Sequence, residues 1–254
     1  MSALQGKIAW VTGAGSGIGK AGALELARGG AVVALSGRRE AELRQVADQI
    51  AAEGGRAEVE PLDVSDKLAV QRTANRIIAR HGKVDILVNS AGLNIPRRFW
   101  KEIDAENWDQ VVDVNLNGSL YCIASVIENM RRRKDGLVIN ISSWAGKYDT
   151  YMTGPAYNAS KHAVVAMSAS LNLEECVNGI RCCCICPGEV ATPIMQRRPV
   201  PPAPEELARM LQEEDMGRTI RFVAEMPPHV CVNEIVISPT WNRINIGGAD
   251  IARR

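Results

Sequence analysis

The sequence predicts an α/β fold: one domain built on a doubly wound, mostly parallel sheet of seven strands with helices on both faces. Three observations predict it. Short, nearly continuous apolar runs alternate with amphipathic stretches along most of the 254 residues. Runs of that kind suit strands covered on both faces. Each amphipathic stretch is placed to cross over between parallel strands, and right-handed crossovers give a doubly wound sheet.

The elements follow in order. Residues 7–12 read as a strand and 17–28 as a helix; 31–36 as a strand and 40–53 as a helix; 57–62 as a strand and 66–81 as a helix. Residues 84–89 read as the fourth strand, and 105–133 carry one long helical pattern. A strand at 137–142, a helix at 157–177, a strand at 180–186, a helix near 204–226 and a strand at 234–238 complete the chain. Ser65 is the better cap for the third helix. Two segments have no clear period. Residues 147–155 hold Tyr148, Tyr151, Met152 and Gly154, and residues 190–204 hold five prolines. Both follow the carboxyl ends of strands, where open α/β sheets bind ligands. The segment 190–204 is therefore the expected substrate loop. No repeat or linker divides residues 1–254.

Composition excludes several classes. Hydrophobic residues make up 46% and the net charge is +1, so neither disorder nor a nucleic-acid partner is expected. The densest positive run, Arg131 to Lys134, reads as a solvated helix end favoured by the macrodipole. No apolar run approaches the roughly 20 residues of a membrane span. The start, Met1 to Lys7, is too short in apolar residues for a signal peptide. A cytoplasmic protein with no membrane partner is expected. Of seven cysteines, Cys182, Cys183, Cys184 and Cys186 crowd one strand, where neighbours point to opposite faces. They read as reduced core residues, with no metal site expected.

The first turn reads as a dinucleotide cradle. A literal G-x-G-x-x-G begins at Gly17, but the strand ends at Thr12, so the turn starts at Gly13. Gly13, Gly17 and Gly19 then permit positive φ and close backbone approach to a pyrophosphate. The amides that open the first helix supply donors. The second strand runs out at Gly37, Arg38 and Arg39. A carboxylate is expected about 20 residues after such a turn when NAD is preferred. Here a glycine and two guanidinium groups stand there instead, which favours the 2′-phosphate of NADP, with NAD the alternative.

Tyr157 and Lys161 stand four residues apart, on one face of the predicted helix. The ammonium favours the phenolate, as a general acid/base for alcohol and ketone chemistry requires.

These motifs in this order resemble the short-chain dehydrogenase/reductase family, from about residue 5 to residue 240. Thr12-Gly13-x-x-x-Gly17-Ile18-Gly19, Leu62-Asp63-Val64, Asn89-Ser90-Ala91-Gly92, Asn115, Ser143, Tyr157-x-x-x-Lys161 and Pro187-Gly188 carry the likeness. It implies a single-domain Rossmann fold and hydride transfer between NADP(H) and a small hydroxyl or carbonyl compound. It implies Tyr157 as acid/base, with Lys161 lowering its pKa and holding the nicotinamide ribose. Ser143 would bond the substrate oxygen, and Asn115 would be the relay residue. The cofactor would lie on Gly13, Gly15, Ser16, Gly17, Ile18, Gly19, Gly37, Arg38, Arg39, Asp63, Val64, Asn89, Ala91 and Gly92. Tyr157, Lys161, Pro187, Gly188, Val190 and Thr192 would complete the contacts on the nicotinamide side.

Two departures stand out. The usual paired asparagines are Asn89-Ser90 here, and Ser143 precedes Tyr157 by 14 residues, one more than is commonest. Ser143 is preferred over Ser142 because Ser143-Trp144-Ala145-Gly146 follows the family pattern. The tail from Pro227 to Thr240 resembles, more loosely, the branch of NADP-dependent serine and 3-hydroxy-acid dehydrogenases. A carboxylate-bearing substrate would want an arginine, and Arg97, Arg98, Arg197 and Arg198 are within reach of the expected pocket. Asn94, Trp144, Tyr148, Met152 and Met195 are candidate walls. The family likeness also implies a homodimer or homotetramer through the helices at 105–133 and 157–177. A non-catalytic dinucleotide sensor or scaffold is the competing class.

Overall fold

The computed structural model describes residues 3–242, apart from the side chain of Arg197. Seven strands form one parallel sheet in the order β3-β2-β1-β4-β5-β6-β7. The strands are β1 Ile8–Thr12, β2 Val32–Gly37, β3 Arg56–Pro61, β4 Ile86–Asn89, β5 Gly136–Ile141, β6 Ile180–Pro187 and β7 Glu234–Ile237. Every expected strand is present, shifted by no more than two residues at either end. Thr12 pairs with Ser36 on one side and with Asn89 on the other, and Asn89 pairs with Asn140. The strands thus end level, and the order reverses between β1 and β4. That reversal opens a crevice at the carboxyl edge of the sheet.

Helices α1 Gly17–Arg28, α2 Glu40–Ala52 and α8 Glu213–Ala224 cover one face. Helices α3 Lys67–His81, α5 Gly118–Arg133 and α6 Pro155–Glu175 cover the other. Strand side chains alternate between the two layers. Ala9 and Val11 enter the first core and Ile8 and Trp10 the second. Cys183 likewise faces the first layer while Cys182, Cys184 and Cys186 face the second, all four thiols buried and free. Among the described residues no helix is long and apolar enough to cross a membrane.

Four expectations change. The pattern at 105–133 is α4 Ala105–Val112, a π-helical turn Asp113–Asn117, then α5. The helix near 204–226 is interrupted. A short α7, Pro204–Leu207, is followed by Leu211 bridging to Val190, and only then does α8 begin. Asp66, not Ser65, caps α3, its carboxylate accepting from the amides of Leu68 and Ala69 at 2.9 Å. Ser65 instead donates to Asp63 through both its amide and its hydroxyl. The run Arg131 to Lys134 is only partly solvated. Arg131 pairs with the buried Glu175 at the end of α6, and Arg133 reaches the buried Asp85 at 2.8 Å.

Asp85 ties the amino end of the sheet together. Its carboxylate accepts from the Ile8 amide at 2.8 Å, from Arg133 at 2.8 Å and from Lys83 at 3.0 Å. Removing a buried carboxylate orphans the Ile8 amide and uncouples Arg133, Lys83 and the more distant Lys7. We expect Asp85→Ala to lose about 3 kcal/mol of stability, measured by urea denaturation.

Candidate active site

Hydroxyl Oγ1 of Thr12 accepts from the amides of Ser90 and Ala91, each at 3.2 Å. This pins the loop after β4 against the first turn. Gly13 lies at φ +66°, and a Cβ there would sit 2.8 Å from the Ala91 amide nitrogen. Gly17 lies at φ +60°, and a Cβ on it would meet Thr192 at 3.4 Å across the cleft. A Cβ on Gly19 would be driven into the Gly13 carbonyl. The turn is therefore bare backbone on its cleft side, as close approach of a phosphate demands.

The cleft measures about 500 Å³ and runs from Arg38 and Arg39 at one end to Tyr157 and Lys161 at the other. Asp63 and Val64 line it after β3, and Pro187, Gly188, Val190 and Thr192 after β6. Gly13, Gly15, Ser16, Gly17, Ile18, Gly37, Ala91, Gly92 and Ser143 also form its wall. Three predicted site residues lie behind the wall. Gly19 is buried in the first turn of α1. Asn115 is buried beneath Gly92. Asn89 is buried in the sheet, donating to Asn140 at 2.9 Å, and its neighbour Ser90 reaches the cleft instead. A strand pairing decides that difference: Asn89 is the last ladder residue of β4.

Helix α6 starts at Pro155, with Gly154 at φ +75° as its N-cap. Tyr157 is half-buried and Lys161 only 5% exposed. The Lys161 ammonium lies 5.6 Å from the centre of the Tyr157 ring and donates to the Ile141 carbonyl at 2.9 Å. The two serines are sorted by their bonds. Ser142 is buried and donates to the Lys161 carbonyl at 2.8 Å. Ser143 accepts from the Ala145 amide at 3.1 Å, which leaves its hydroxyl proton to point elsewhere.

Asn115 sits on the π-helical turn. Its carbonyl oxygen accepts from the Leu93 amide at 2.8 Å and its amide donates to the Leu93 carbonyl at 3.0 Å and to Ser160 at 3.2 Å. Ser160 in turn donates to the Tyr157 carbonyl at 2.9 Å. Arg39 donates to Ser16 at 3.1 Å and pairs with Glu42 at 3.0 Å, and Arg38 is exposed at the same end of the cleft. Of the candidate walls, Met195 lines the cleft, Trp144 and Tyr148 pack on each other at 5.0 Å, and Asn94 is buried. Arg97 is solvated near Asp104, Arg198 pairs with Glu189 at 2.5 Å, and the Arg197 side chain lies outside the described residues. Sequence reasoning passed over Leu43, Ile141, Ile194 and Gln196, which also form the wall. The last two were signalled only by lying in the proline-rich segment.

A family model described as short chain dehydrogenase matches residues 7–201. The chain belongs to the short-chain dehydrogenase family. An uncharacterized oxidoreductase of Staphylococcus saprophyticus is 36% identical over 241 residues, covering 94% of this chain and 100% of the relative. One from Staphylococcus aureus is 34% identical over 239 residues, with the same coverage of both chains. A metagenomic short-chain oxidoreductase solved with NADP superposes with a TM-score of 0.82 at 30% identity, over 94% of this chain and 99% of that one. An alcohol dehydrogenase from Thermococcus sibiricus, complexed with 5-hydroxy-NADP, gives 0.83 at 27% identity, over 92% and 97%. This short-chain dehydrogenase is thus an oxidoreductase with the seven-stranded Rossmann sheet of its family.

The glycine turn yields a direct test. Gly19→Ala must push the Gly13 peptide toward the cleft, and overpacking of this kind costs about 1–3 kcal/mol. Affinity for a reduced nicotinamide dinucleotide should fall about tenfold or more in a fluorescence titration.

Proposed function

We propose that this oxidoreductase transfers hydride between NADP(H) and a small hydroxyl or carbonyl compound, with Tyr157 as the general acid/base. One observation carries the proposal: Tyr157 and Lys161 share a face of α6 at the end of the same cleft that begins at the glycine turn. A dinucleotide suits the residues present, because the turn offers bare backbone and helix-opening amides where a phosphate would sit. Gly13, Gly15, Ser16, Gly17 and Ile18 would hold the pyrophosphate. Asp63 and Val64 would face the adenine, and Lys161 would hold the nicotinamide ribose.

Bound nicotinamide supplies or accepts the hydride; the chain handles the proton. In reduction, negative charge grows on the carbonyl oxygen, and the Tyr157 phenol gives it a proton. In oxidation the phenolate takes that proton back. Ser143 offers a second hydrogen bond to the same oxygen, which stabilises the charge where it develops. The Lys161 ammonium stands 5.6 Å from the centre of the Tyr157 ring and lines the same cleft. Asn115, the proposed relay residue, holds Leu93 and Gly92 in place beside Lys161. Segment 190–204 is proposed to close over the substrate, with Ile194, Met195 and Gln196 on its inner side.

Preference for NADP rests on Arg39 more than on Arg38. Ser16 and Arg39 converge beside Gly37, where a carboxylate would repel a 2′-phosphate. Two similar solved proteins carry NADP or its 5-hydroxy form. We further propose a cytoplasmic homodimer or homotetramer. Free exposed thiols at Cys176 and Cys231 suit a reducing compartment, and Leu120 and Leu173 present apolar surface on α5 and α6.

Two outcomes test this. Tyr157→Phe should lower kcat about 10²–10⁴-fold over a panel of alcohols and ketones while dinucleotide affinity holds. Arg39→Ala should lower kcat/KM for NADPH about tenfold and leave that for NADH unchanged, since a hydrogen bond to a charged group is worth about 1.5–3 kcal/mol. Wild-type enzyme that reduces nothing in the panel would overturn the activity, and equal use of both dinucleotides would overturn the preference.

A further inference from the structure

Arg98 lies behind the cleft, buried in the fold. It is 4% exposed, and the cleft wall beside it is formed by Leu93. Its Nε donates to the Ile95 carbonyl at 2.6 Å and a terminal nitrogen to the Met152 carbonyl at 3.4 Å. Those carbonyls belong to different segments, the loop after β4 and the stretch that leads into α6. Asn94 makes a second tie between the same two, donating to the Thr153 carbonyl at 2.9 Å. The Phe99 ring stacks on Tyr151 at 5.0 Å and 21°. Gly154 completes the join: at φ +75°, a Cβ on it would be driven into the Arg98 carbonyl. Beyond the join, Asn158 donates to the Thr150 carbonyl at 3.1 Å and accepts from the Thr153 hydroxyl. The joined segment is therefore bonded to the first turn of α6, the turn that carries Tyr157.

We propose that Arg98 is a positioning residue, clasping the segment that starts α6 to the loop after β4 and so fixing where the Tyr157 phenol stands at the cleft. The proposal rests on the acid/base role of Tyr157. Burying a guanidinium is costly, and an apolar side chain would fill the space more cheaply. What the guanidinium adds is a rigid planar fork whose separate nitrogens reach two carbonyls from spaced positions, where lysine offers its three donors from one point on a flexible stem. Burial first, and repulsion by Arg198 second, push its pKa down to about 10, while Tyr157 raises it. The cation persists at neutral pH.

The test uses Arg98→Met, which keeps the stem and deletes the donors, Arg98→Lys, which keeps the charge, and Gly154→Ala, which pries the join apart from the backbone. Rates are normalised to dinucleotide-binding sites counted by fluorescence titration, so loss of folded protein does not count as loss of rate. Misplacing a reacting group by about 1 Å costs about 10²-fold. We expect kcat per site to fall about that much in Arg98→Met and Gly154→Ala, with dinucleotide affinity and substrate KM little changed. Arg98→Lys should recover only a small part, and the double variant should be no worse than the poorer single one. Amide hydrogen exchange over residues 150–158 should quicken in all three, with α1 unchanged. Wild-type kcat per site in Arg98→Met and Gly154→Ala overturns the proposal, as does full recovery by lysine. Should the wild-type chain turn over no substrate at all, the acid/base reading fails instead. Unchanged exchange over 150–158 would then overturn the clasp by itself.

Discussion

The paired hydrogen bonds between Asn115 and the backbone of Leu93 are the constraint on which the site depends. They join a helix on one face of the sheet to the loop that leaves its central crevice. Through Ser160 they reach the backbone of Tyr157 as well. Cofactor wall, helix turn and phenol are thereby set against one another by one side chain. The π-helical turn at Asp113–Asn117 makes this possible, because an extra residue in the turn redirects a side chain out of the helical register.

Electrostatics at the site follow from the same geometry. Lys161 is nearly buried, and its ammonium is held by the Ile141 carbonyl at the end of β5. A backbone carbonyl thus orients this cation at the cleft. The opposite end of the cleft works differently. Arg39 is exposed and already paired with Glu42, so its charge is shared and open to screening by salt. The Tyr157 phenol sits at the sheltered end and Arg39 at the wet one.

Much of this was legible in the chain. The central apolar runs became strands because both their faces are covered, while β3 and β7 at the sheet's edges carry charged positions and were marked by their place in the alternation. The glycine turn, Tyr157 and Lys161 were legible because each depends on spacing within one element. The misses share a cause. Residues 105–133 kept one helical period, so the π turn within them left no trace. Leu211 broke the last helix because its bridge to Val190 comes from a distant loop. Asn89 turned inward to Asn140, a partner 51 residues away. Arg131 and Arg133 looked like a solvated end until Glu175 and Asp85 came beside them.

By itself the sequence determined the kind of fold, the place of the glycine turn and the pairing of phenol with ammonium. These are local matters of periodicity, steric freedom and a four-residue helical step. Only the tertiary structure decided which serine donates to the Lys161 carbonyl, which arginine meets Ser16, and that Arg98 bonds carbonyls of two separate segments. Each of those outcomes turns on a hydrogen bond between residues far apart in the chain. A hydrogen bond forms within about 3 Å, a distance that spacing along a chain leaves open until the sheet has closed.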